Sequence, residues 1–230
     1  MPPPVADVMN SELAVTGYSL VVPPQWRRIP VRHGTRAAIR GVADEVLRRF
    51  SADVPRDGLT RYRIELERRL SEMAKQARSA GGIDLYLPVE YAHGVAITAS
   101  FVVSQVTLPE PPADLPDADR VDTAQFVAYL VSGDGDGDGD GDAAPVNIAG
   151  ISAARKEAVA PADPGQQAGY GSRRVDYLIP VPEHPRGMLV VAFSTIGDGD
   201  PEGDFAKLLV ELFDAIMTTF RWTSDEVAQE

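Results

Sequence analysis

The spacing of the apolar residues changes from helical to alternating and back again along this chain, and that change limits the fold more than any motif does. After Thr35, a plausible N-cap, residues Ile39, Val42, Val46, Leu47 and Phe50 recur at helical spacing. A second helical stripe, Leu59, Tyr62, Leu66, Leu70, Met73 and Ala77, runs to about Ala80 and stops at Gly81-Gly82. Then Ile83, Leu85, Leu87 and Val89 alternate, which predicts a strand. A turn at Ala92-His93-Gly94 and a longer strand, Val95 to Leu108, complete an antiparallel hairpin. Helical spacing returns at Phe205, Leu208, Leu209, Leu212, Phe213, Ile216 and Phe220, with Asp204 placed as the cap.

Between these segments lie shorter signals. Tyr18 to Val22 and Trp26 to Val31 read as extended pieces separated by Pro23-Pro24, and a short helix is expected near Asp122 to Leu130. Val146 to Ala160 holds one or two strands, and Arg173 to Val181 with Met188 to Ile196 forms a second hairpin. This order predicts an α+β chain in which an antiparallel sheet of about six strands carries helices packed on its faces. Residues 16–222 form one domain in this reading, with 1–15 and 223–230 as flexible ends and the Gly-Asp tract Gly133 to Asp142 as an inserted loop. The ring of Trp222, just past the last helix, is expected to tuck against the sheet, and Trp26 and Tyr86 to pack in the core or at its rim.

Charge is distributed unevenly. The net charge is -12, yet residues 1–80 hold 14 Lys and Arg against 9 Asp and Glu, leaving 8 against 25 for the remainder. Many of the N-terminal arginines have an acid one helical turn away: Asp44 with Arg48, Glu45 with Arg49, Glu65 with Arg69 and Arg68 with Glu72. That spacing describes solvated helix faces, and it disfavours a nucleic-acid partner, which needs clustered, uncompensated cations. No cysteine is present, so disulfides, thiolate metal sites and cysteine nucleophiles are excluded. The stretch MPPPVADVMNSELAV lacks a basic and apolar leader pattern, and the longest apolar run, Met188 to Phe193, is strand-sized. A cytoplasmic location without membrane insertion is therefore expected.

The sequence holds no recognisable catalytic motif. The tract GDGDGDGDGD fails as a phosphate loop because Asp138 stands where a glycine is required. Asp134, Asp136, Asp138 and Gly139 match positions of a calcium loop, but Pro145 occupies the place of its bidentate glutamate. The second acidic loop, Asp198, Asp200, Glu202 and Asp204, presents alternating carboxylates that can wrap a hard cation, with Ca2+ the ion such a loop would take; the helix dipole accounts for acids there equally well. His33, His93 and His184 show no zinc-ligand spacing. The stretch from Gly150 to Lys156 is no Walker loop, since Arg155 replaces a glycine, and no serine elbow exists.

Three segments carry a resemblance: PPQWRRIPV at residues 23–31, VDYLIPVPEHPRGMLVVAFST at 175–195 and FDAIMTTFRW at 213–222. Together with the order of elements over residues 17–222, they resemble the PsbP-like fold shared by photosystem extrinsic subunits, a Ran-binding nuclear import factor and many bacterial secretion-linked proteins, including a branch found in actinobacteria. The resemblance implies an α/β/α sandwich around an antiparallel sheet that serves as a platform for binding proteins. It implies no catalytic residue and no cofactor. The expected function is thus a non-enzymatic scaffold for another protein, such as an adaptor or chaperone linked to a bacterial secretion system. A module that responds to divalent cations through its acidic loops is the first alternative, and an enzyme of unrecognised type is the second.

Overall fold

The computed structural model of the protein describes residues 15–50, 56–91, 94–108, 123, 126–127, 143–161 and 171–224. Its elements are β1 (Val15–Ser19), β2 (Trp26–Pro30), α1 (Thr35–Leu47), α2 (Arg56–Ser79), β3 (Gly82–Pro88), β4 (Ala99–Thr107), β5 (Ala143–Ile148), β6 (Ile151–Ala160), β7 (Ser172–Pro180), β8 (Gly187–Thr195), α3 (Asp204–Thr218) and β9 (Arg221–Ser224). Thr123, Phe126 and Val127 are helical, and the rest of the helix expected near residues 122–130 lies outside the described residues, as does the Gly-Asp tract.

One antiparallel sheet has the order β2-β3-β4-β8-β7-β6-β5, and β1 pairs with β9 in a small separate ribbon. Seven strands replace the expected six because residues 143–160 form a complete hairpin. Ala149 and Gly150, both at positive φ, make its two-residue turn, and Asn147 Oδ1 accepts the Gly150 N–H at 3.0 Å. Each outer strand of the large sheet contains a proline, Pro30 in β2 and Pro145 in β5. Proline removes a ladder donor and blunts a sheet edge.

Alternation along β3 and β4 splits the apolar residues between two cores. Leu85 pairs with Val102, and both pack towards α1 and α2. Tyr86 pairs with Phe101, and both pack in the cluster that contains α3. Helices thus cover both faces of the sheet. Phe126 and Val127 extend the cover near β6 to β8 by packing with Ala154, Leu178, Met188 and Val190.

Two stripes turn relative to their sequence pattern. In α3 the buried side chains are Ala206, Leu209, Val210, Phe213, Ile216 and Met217, whereas Leu208 is 57% exposed. In α2 Leu70, Ala74 and Ala77 are buried, while Tyr62 and Met73 face outwards. Ala206, Val210 and Met217 in α3 and Ala74 in α2 take buried positions that the apolar spacing does not single out. The caps also differ from expectation. Gly34 rather than Thr35 is the N-cap of α1, and Gly203 rather than Asp204 is that of α3, with Asp204 in the first turn.

Phe213 is the centre of the α3 contact. Its ring stacks on Phe193 at 4.6 Å and meets Phe101 at 5.5 Å and Tyr177 at 5.7 Å. Burial of such a side chain contributes about 1.5–3 kcal/mol. After α3 the chain turns back, and Phe220 stacks on Tyr18 of β1 while the Trp222 ring meets Phe220 edge-on at 5.0 Å. Trp26 and Tyr86 are buried core residues, as their packing role predicts.

Candidate functional site

Helices α1 and α2 run antiparallel. Arg78, near the end of α2, donates to Thr35 Oγ1 at the start of α1 (3.2 Å), and Arg63 in the first half of α2 reaches Asp44 near the end of α1 (2.7 Å). Where α1 ends and α2 is still in its first half, the helices and the end of β3 enclose an open groove of about 660 Å3. Its floor includes Val42, Val46, Leu66, Leu70 and Leu87. Above that floor stand three aromatic side chains that water reaches: Phe50, Tyr62 at 45% exposure and Tyr91 at 71%. The Phe50 and Tyr62 rings meet edge to face at 5.0 Å.

An ion-pair chain borders the groove. Arg27 donates from Nε to Glu45 (2.7 Å), Arg49 donates to the same carboxylate (2.9 Å), and Arg49 also pairs with Glu90. Arg49 Nη1 further donates to the Val89 carbonyl at 2.6 Å, which fixes the end of β3 to α1. The hydrogen bonds from Arg27 hold the Glu45 carboxyl below the usual glutamate range, so it remains charged. Two cations and two anions cancel here, leaving a groove that is apolar inside and neutral at its border.

Two carboxylates elsewhere in the fold, one of them fully buried, act as clamps. Asp84 on β3, 2% exposed, accepts the Tyr18 hydroxyl at 2.5 Å and Arg28 Nε at 2.7 Å. Asp214 on α3 accepts the Tyr177 hydroxyl at 2.7 Å and two hydrogen bonds from Arg155. Burial pushes both tyrosines well above the ordinary tyrosine range, so each hydroxyl keeps its proton and acts as a donor. For Arg155 burial works against the charge, but the hydrogen bonds to Asp214 and Glu157 outweigh it and raise the pKa.

The acids of the second loop are exposed and stand apart. Asp200 Oδ1 accepts the Glu202 N–H at 3.0 Å, Asp204 faces Lys207 at 3.4 Å, and Asp198 projects from the turn after β8. Among the described residues no three Asp, Glu or His side chains form a group that could hold a metal ion. Asp134, Asp136 and Asp138 lie outside the described residues. Of the predicted helix pairs, Glu45–Arg49 and Glu65–Arg69 form, while Asp44 turns to Arg63 and Arg68 to Glu65.

Phe50 and Tyr62 belong to helical stripes in the sequence yet stay exposed, and neither Asp84 nor Asp214 stands in a sequence motif. Asp84 carried a usable signal, an acid in the middle of an otherwise apolar strand. Among the described residues no helix is long and apolar enough to cross a membrane.

No family model matches the chain, and no curated protein matches it. Among solved structures, the crystal structure of LpqN, involved in cell envelope biogenesis of Mycobacterium tuberculosis, is similar at 13% identity with a TM-score of 0.42, over 94% of this chain and 87% of that chain.

Proposed function

We propose that this protein is a binding scaffold without catalytic activity, and that it receives an amphipathic helix of another protein in the groove between α1, α2 and the end of β3. The observation that carries this reading is the set of exposed aromatic residues, Phe50, Tyr62 and Tyr91, standing over an apolar floor. Contiguous exposed apolar surface of that kind is costly in water, and aromatic anchors in a desolvated centre dominate protein interfaces. The border supports the choice of occupant. Its charges cancel within the Arg27, Glu45, Arg49 and Glu90 chain, so the complementary ligand is an apolar stripe flanked by mixed charges, which is what an amphipathic helix presents. Strand addition is disfavoured because Pro30 ends one outer strand and Pro145 interrupts the other.

An adaptor or chaperone role in a secretion-linked assembly is the finer form of this proposal. It draws on the PsbP-like resemblance and on the sheet with helices on both faces.

Site-specific photo-crosslinking in native extract tests the groove. Benzoylphenylalanine placed at Tyr62 is expected to give one discrete protein adduct, lost when Phe50 and Tyr91 are both changed to alanine, and the same probe at exposed Leu208 is expected to give none. A helical peptide from the captured protein should then bind the purified full chain. Equal adducts from both positions, adducts only with a second copy of this chain, or none at all would overturn the proposal.

A further inference from the structure

At the other end of the α1–α2 pair, a second concavity of about 700 Å3 is lined by five cationic side chains: Arg32 before α1, Arg36 and Arg40 on α1, and Lys75 and Arg78 on α2. We propose that it binds a compact ligand bearing two or more phosphate groups.

The first ground is the clustering of unpaired cations around one concavity. Towards the groove, Arg49, Arg63, Arg68 and Arg69 each have a carboxylate within 2.9 Å. Among the described residues, Arg32, Arg36, Arg40 and Lys75 have no carboxylate within ion-pair distance, and all four are exposed. Arg78 is held by the Val31 and Arg32 carbonyls and Thr35 Oγ1, which sets the wall of the concavity. Arg48 and Arg61 are also exposed without an ion pair among the described residues, but neither lines the groove, whereas Arg32, Arg36, Arg40 and Lys75 all line one concavity.

A second ground is that the local arrangement works against the isolated protein. Arg36 and Arg40 stand at i,i+4 and Lys75 and Arg78 at i,i+3, spacings at which like charges repel. Helix α1 begins at Gly34 without a side-chain cap, has no acid in its first turn and carries Arg36 there instead. Cations at a helix start are unfavourable, and a bound anion would relieve the repulsion and the uncapped N–H groups together. Local rules broken without compensation in the fold point to a function. Buried Ile39 and Ala74 and the small Ala37 lie between the charged arms and leave space for a ligand.

Guanidinium groups bind phosphate oxygens in pairs, which favours phosphate over a lone carboxylate. The volume suits a small molecule. A net charge of -12 opposes a long polyanion such as nucleic acid, whose flanks would meet acidic surface, but does not oppose a compact ligand seated in a local positive field.

Calorimetry with the full chain tests this, using inorganic triphosphate, vesicles containing a phosphoinositide, control vesicles of equal charge with phosphatidylserine, and a DNA duplex. Saturable single-site binding of triphosphate is expected, or of the phosphoinositide vesicles alone, which would identify a lipid headgroup as the source of the phosphates. The double variant R36A/R40A should weaken that binding at least about tenfold, while R68A/R69A, two exposed arginines on the other part of the pair, should leave it unchanged. Tyr62→Ala should also leave it unchanged, which separates this site from the groove. Thermal melting checks that each variant folds, and R36K/R40K offers a charge-retaining substitute should the alanine variant fail. Absence of saturable binding would overturn the proposal. So would equal loss in R68A/R69A, equal binding to both vesicle types, or preference for DNA.

Discussion

Arg155 on β6 grips Asp214 on α3 through two hydrogen bonds, Nε to Oδ1 at 3.0 Å and Nη2 to Oδ2 at 2.9 Å. Tyr177 on β7 donates to the same carboxylate, so one side chain of the helix is tied to two strands. Asp214→Ala leaves the largely buried Tyr177 hydroxyl without its acceptor and Arg155 with Glu157 alone. The pair is partly solvated, so a loss of about 1–3 kcal/mol is expected in urea unfolding, against about 1 kcal/mol for Tyr177→Phe. Equal stability of Asp214→Ala and the wild type would show that the clamp contributes nothing.

Part of the acid sensitivity should trace to Glu157. Burial raises its pKa, but the hydrogen bonds from Arg155 (2.8 Å) and Arg173 (2.7 Å) lower it further, and the net position is below the ordinary glutamate value. A depressed folded pKa means that the unfolded chain binds the proton more readily. The stabilisation is therefore present above the unfolded value and is lost as pH falls through the folded one. Urea midpoints of the wild type and Glu157→Gln are expected to differ near neutral pH and to converge as pH falls below the ordinary glutamate range. A gap that stays constant over that fall would remove the glutamate from the account.

Two apolar residues of α3 should respond to truncation by very different amounts. Phe213, 1% exposed, sits among three other rings, and Phe213→Ala is expected to cost about 3–5 kcal/mol. Leu208, 57% exposed, belongs to the same stripe in sequence, yet Leu208→Ala should change stability by no more than about 0.5 kcal/mol. A thermal melt of each variant is sufficient to see the difference.

Glycine at the turn from α2 into β3 is required by close approach. A Cβ on Gly82 would lie 2.6 Å from the Ala77 carbonyl oxygen, and the obstacle is backbone that cannot swing away. Gly82→Ala should therefore destabilise by about 1–3 kcal/mol. Gly41 in α1 has nothing within 4 Å of such a Cβ, so Gly41→Ala should stabilise by roughly 0.5–1 kcal/mol. Chemical denaturation of the pair checks both signs.

Much of the fold is legible in the sequence alone. The three long helices, the hairpin of β7 and β8 and the pairing of β3 with β4 follow from periods of 3.6 and 2, because a repeating side-chain direction leaves a repeating trace in the chain. The excess of cations in residues 1–80 was equally visible. It looked like solvated helix faces, since i,i+4 spacing offers an acid to several arginines regardless of which partner each finally takes.

What periodicity sets is therefore the kind and order of the elements and which residues are candidates for burial. Strand order, the rotation of α3 that turns Leu208 outwards, the clamp between residues 155 and 214, the aromatic groove and the cationic concavity depend on elements meeting across the chain. Arg36 and Arg40 come beside Lys75 and Arg78 only when α1 and α2 pack antiparallel. Contacts between residues so far apart leave no local pattern, because the free energy that selects them comes from packing between surfaces and not from any one segment's own preference.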